Sequence, residues 1–145
     1  VNVSRYDKYD PRDGGFRAPL NAAWNATSGP SGVSDLDRIL VVSLNGSGRV
    51  VKATSAAAAV GVVVLTRAMA AGEVVDVMTD GEIVELSTTD TQGAVAVTAG
   101  TKYYLDVTQG RLTSTAPTPA GTNGFYVGTT VEAGRLVVRT GSVQA

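Results

Sequence analysis

The sequence predicts an all-β domain, and three observations carry that expectation. The chain holds 23 Val and 17 Thr against nine Leu and two Ile, and branching at Cβ stiffens χ1 in a way that suits a pleated sheet better than a helix. Seventeen glycines are spread along 145 residues, enough to punctuate many short strands. Apolar residues also recur in short runs between turn dipeptides and not at helical spacing. The expected architecture is a compact β-barrel or sandwich built from short hairpins. An extended N-terminal arm and at most one short helical turn complete it. A chain of this length has room for one hydrophobic core.

In chain order, residues 1–37 read as the arm and residues 38–145 as the β-rich domain. The arm carries three of the five prolines (Pro11, Pro19, Pro30), mixed charges and no apolar period. It also holds four of the eight aromatics: Tyr6, Tyr9, Phe16 and Trp24. A solvated tail has no use for the only tryptophan of the chain, so these rings are expected to dock. The occupied surface is either a partner or the edge of the chain's own sheet. The partner reading assigns contacts to Arg5, Tyr6, Tyr9, Arg12, Phe16, Arg17 and Trp24.

From Arg38 the elements follow one another closely. RILVVSL (Arg38–Leu44) is a nearly continuous apolar strand, Asn45-Gly46 a two-residue hairpin signal, and RVVKA (Arg49–Ala53) the return. Thr54 to Val60 is Ala-rich and fits a single helical turn capped by Thr54 or Ser55. Gly61–Leu65 reads as a buried strand. VVDVMT, Asp80-Gly81 and EIVEL then predict a hairpin, and Ala94–Val97 a short strand. In KYYLDV, Tyr103, Leu105 and Val107 share one face while Lys102, Tyr104 and Asp106 share the other. Gln109-Gly110 turns the chain into Arg111–Thr113. Phe125–Thr130 and Arg135–Arg139 close it around Glu132-Ala133-Gly134. A Gly-charged-aliphatic rhythm recurs at Gly48, Gly81, Gly110 and Gly134, with the charge expected toward water and the aliphatic residue toward the core. Outward placement of Tyr104 and Tyr126 would suit an oligomer interface.

Composition narrows the function. Cysteine and histidine are absent, which removes disulfides, zinc fingers, thiol nucleophiles and histidine bases. A net charge of −1 gives no field for nucleic acid or anionic membrane. No apolar run approaches the roughly 20 residues of a membrane span, and the polar stretch Val1–Asp10 predicts no secretory signal. Asp76, Asp80, Glu82 and Glu85 lie close in sequence, yet they lack EF-hand spacing and read as a solvated acidic hairpin, so no metal or cofactor is expected. No serine stands in a nucleophile motif, and Gly46-Ser47-Gly48 lacks phosphate-loop spacing. EVVDVMTDGEIVE has the look of a lipoyl hairpin without a lysine at its tip. The sequons at Asn2 and Asn25 matter only in a eukaryotic secreted protein. An enzyme is not expected.

Three stretches carry a resemblance: VVKATSAAAAVGVVVLTRAMAAGEVVDVMTDGEIVEL, VTAGTKYYLDVTQGRLT and FYVGTTVEAGRLVVRT. Their order of Ala-rich stretch, Gly-Val-Val strand, two Ala-Gly-led hairpins and a closing Gly-x-Leu-x-Val strand resembles the capsid cement, or decoration, proteins of tailed bacteriophages. The similarity spans about two thirds of the protein and includes no catalytic signature. It implies a β-rich homotrimer on the outer surface of an HK97-like capsid, made in the bacterial host cytoplasm. There it would bind the major capsid protein, with an N-terminal arm tying neighbouring shell subunits together. Two other functions fit a chain of this composition: an extracellular carbohydrate-binding or adhesin-like β module, and a phage tail or head–tail component.

Overall fold

The computed structural model describes residues 14–24, 38–65, 68–117 and 123–144. They form two antiparallel five-stranded sheets and no α-helix. The strands are β1 (Gly15–Pro19), β2 (Ile39–Leu44), β3 (Val50–Lys52), β4 (Ala59–Val64), β5 (Val74–Met78), β6 (Asp80–Ile83), β7 (Lys102–Leu105), β8 (Leu112–Thr113), β9 (Asn123–Glu132) and β10 (Arg135–Gln144). The first sheet runs β1-β5-β4-β2-β3 and the second β6-β10-β9-β7-β8. The expected all-β sandwich is the fold observed.

Strand β2 explains the layering. Its residues Ile39 to Val42 are all fully buried, which a strand achieves only when both faces of its sheet are covered. Ile39 and Val41 pack into a core shared with Ile83, Tyr103, Leu105, Phe125, Val127, Leu136 and Val138 of the second sheet. Leu40 and Val42 point the other way, into a second core with Val50, Val63, Leu65, Val75 and Val77. That second core is closed by Ala18, Leu20 and Trp24.

This closure corrects the boundary between arm and domain. β1 pairs with β5 over five residues, from Gly15↔Met78 to Pro19↔Val74. The chain then reaches the opposite edge of the same sheet, where Leu20 bridges Val50 and Asn21 N–H donates to the Val50 carbonyl at 3.0 Å. Residues 14–24 therefore belong to the domain and curl its first sheet back on itself. Polarity and a leading glycine in GFRAP hide a strand whose core contribution is Ala18 and, just beyond it, Leu20.

Other expectations shift for local reasons. The β2–β3 turn spans Asn45 to Arg49, with Asn45 Oδ1 accepting from Ser47 and Arg49 N–H and Gly48 at φ +75°. It is the longer hairpin loop in which an Asx turn leads into a left-handed glycine, not a two-residue turn. The Ala-rich stretch makes one turn, with Ala58 and Ala59 N–H both donating to the Ser55 carbonyl. β5 and β6 do not form a hairpin: the chain bends at Thr79 and crosses from the first sheet to the second. Ala94–Val97 forms no strand; two 3-10 turns, Thr88–Asp90 and Gln92–Ala94, lead into it. The β7–β8 and β9–β10 hairpins form as expected. All four aliphatic residues of the glycine rhythm are buried, but so is one of its charges, Arg111.

Candidate functional site: partner-binding surfaces

Of the seven arm residues assigned to a partner, Arg5, Tyr6, Tyr9 and Arg12 lie outside the described residues. The other three are fixed by the domain. Trp24 is 5% exposed within the second core, and its backbone exchanges two hydrogen bonds with Met69, at 2.8 and 2.7 Å. Its ring is spent on the chain's own interior, which corrects its assignment to a partner. Phe16 packs half-buried against the same core. Arg17 lies exposed on β1 and pairs with Asp76 at 3.0 Å, a contact worth little in open solvent.

Tyr104 and Tyr126 do come together. β7 puts Tyr103 and Leu105 into the core and Tyr104 on the outer face of the second sheet, and β9 does the same with Phe125, Val127 and Tyr126. An irregularity between Tyr103 and Tyr104 brings Tyr104 opposite Tyr126. The rings meet edge to face, with centroids 5.8 Å apart and planes at 64°, the arrangement favoured by aromatic quadrupoles. Tyr126 Oη hydrogen-bonds Thr129 Oγ1. Exposed Lys102 and Arg139 lie on the same two-sided sheet. The pair offers a half-buried aromatic platform with a polar rim, suited to packing against a flat protein surface.

The acidic residues do not converge. Asp76 is engaged by Arg17 and Glu82 by Arg135 at 2.6 Å. No group of three acidic residues among the described residues has metal-binding geometry. Hydrogen bonds donated by Arg135 to the Glu82 carboxylate and then to Glu132 raise the pKa of Arg135 above its ordinary value.

The most buried polar cluster was not singled out from the sequence. Asp90, 1% exposed, accepts Arg38 Nε at 3.2 Å on Oδ1 and both Ser87 N–H and Ser87 Oγ on Oδ2, at 2.9 and 3.0 Å. Arg38 Nη2 also bonds Oδ2 and reaches the Glu85 carbonyl at 3.0 Å. The Ser87-x-x-Asp90 spacing is a capping-box signal and was legible in the sequence. Nearby, Arg111 donates from Nη2 to the Thr89 carbonyl while its buried Nε has no partner. This cluster fastens the 84–91 crossing to the head of β2. Its chemistry is structural.

No family model and no curated protein matches the chain. A solved structure from Mycobacterium phage Patience shares the fold. The similarity has a TM-score of 0.65 at 18% identity and covers 96% of each chain. At that identity it concerns the fold.

Proposed function

We propose that this chain is a structural protein of a tailed-phage virion that binds the outer surface of an assembled capsid and bridges neighbouring major capsid subunits. The observation that carries the reading is the end-to-end fold similarity to a phage protein. The decoration-protein resemblance of three separate stretches supports it independently. The mechanism is passive: a protein that binds the assembled shell and not its parts stabilises the shell by mass action. A homotrimer joined through the Tyr104–Tyr126 platform multiplies the contacts and adds avidity. In this reading no catalytic step, cofactor, nucleic acid or membrane is involved.

The test is co-sedimentation of the purified protein with heads that lack it, beside free tails and a glycan array. Saturable binding to heads, with heads then surviving higher temperature, supports the reading. Binding to tails alone, or to a glycan alone, replaces it with the corresponding alternative.

A further inference from the structure

One edge of the second sheet is covered by no described strand. β6 ends its sheet and pairs only with β10. Thr140 N–H donates to the Thr79 carbonyl, and the β6–β10 register sets Gly81 and Ile83 on that same side. The N–H and C=O groups of Asp80, Glu82 and Val84 therefore point to the free side. Consistent with this, Asp80 N–H lies 3.4 Å from the Gly14 carbonyl. Beyond it, Glu82 and Val84 present donors and acceptors ready for another strand.

Chemistry beside this edge defines what fits. A hollow of about 260 Å3 opens between Val64, Met78, Ile83 and Val84. Val84 is 68% exposed, the highest value among the large hydrophobic residues described. Glu82 is neutralised by Arg135 and Arg38 is held by Asp90. No described cation pairs with Asp80 or Glu85, so the two ends of the edge are acidic.

We infer that this edge receives an extended strand of the shell subunit by β-augmentation, with an apolar side chain in the hollow and Lys or Arg beside Asp80 and Glu85. The inference rests on the capsid reading above and names the partner's chemistry.

The experiment combines amide hydrogen exchange on the full chain, free and bound to heads, with binding by Val84→Pro and by an Asp80→Lys/Glu85→Lys double variant. Proline at 84 removes only an outward-facing donor, and both acidic positions are exposed, so folding is checked by an unchanged melting temperature. Exchange at Glu82 and Val84 should slow at least tenfold on heads, and both variants should bind at least tenfold more weakly. If wild type binds while its Glu82 and Val84 amides stay fast and the variants bind equally, the edge inference is overturned and the capsid reading stands. If wild type does not bind heads, the capsid reading itself fails. Protection of these amides in dilute free protein would make the chain's own segment the occupant. Protection rising with protein concentration without heads would make it a second copy. Either result overturns the inference.

Discussion

Replacing Trp24 by alanine removes the largest side chain that seals the second core. A buried tryptophan hides about 200 Å2, and at about 25 cal/mol per Å2 that is roughly 5 kcal/mol as an upper figure. Truncations of this kind cost about 3–5 kcal/mol. The lower part of that range applies if Leu20, Met69 and Val50 settle into the space. In a domain of this size each kcal/mol moves the melting temperature by about 2–4 °C, so a fall of about 10 °C is expected. The only tryptophan fluorescence of the chain leaves with the mutation, so far-UV circular dichroism in urea and on heating is the suitable readout. Trp24→Phe should recover more than half of the loss, and deleting residues 1–24 should exceed it, because β1 and Leu20 go as well. A Trp24→Ala variant within about 0.5 kcal/mol of wild type would refute the closure of this core by the N-terminal segment.

Gly15→Ala places a Cβ 1.9 Å from the Val77 carbonyl oxygen at φ +145° and should cost more than about 2 kcal/mol by urea denaturation, whereas Arg17→Ala should stay within about 0.5. Asp90→Ala frees Ser87 and Arg38 from a carboxylate 1% exposed; Arg38 is itself 31% exposed, so the cost should fall to about 2–4 kcal/mol in the same assay. Burial raises the pKa of the Tyr103 phenol above 10. Its contribution is complete below the unfolded pKa near 10 and lost as pH rises through the folded value, so stability should decline in the alkaline range. Tyr103→Phe, which also removes a hydroxyl without a partner, should flatten that decline and leave neutral-pH stability equal or slightly higher.

Much of the architecture was legible because β-branched runs and turn dipeptides report local geometry. RILVVSL announced a nearly continuous apolar strand, and KYYL announced which tyrosine faces out. Longer-range decisions were not legible. VVDVMTDGEI has the pattern of a hairpin, yet whether a strand folds back or crosses to a facing sheet depends on what lies beside Thr79, here Gly14 and Thr140. GFRAPL reads as a linker because its apolar share is small, and only the gap left in the second core gives Leu20 and Trp24 their place. Of the candidate partner residues, parity brought out the Tyr104–Tyr126 pair, while the aromatic count could not separate a ring that docks outward from one that plugs the interior. Arg111 broke the expected rhythm because its guanidinium found the Thr89 carbonyl beneath the crossing.

The strap of residues 14–24 also sets an order of events during folding. It leaves the ribosome ahead of its partners on β5 and at Met69, which follow about 45–63 residues later in the chain. Closing loops of that length costs chain entropy before any contact repays it. Until then Leu40, Val42, Val63 and Leu65 have one open flank. The vulnerable species during synthesis is thus a first sheet with one flank still bare, sticky toward its own kind, and crowded synthesis is where that exposure matters most.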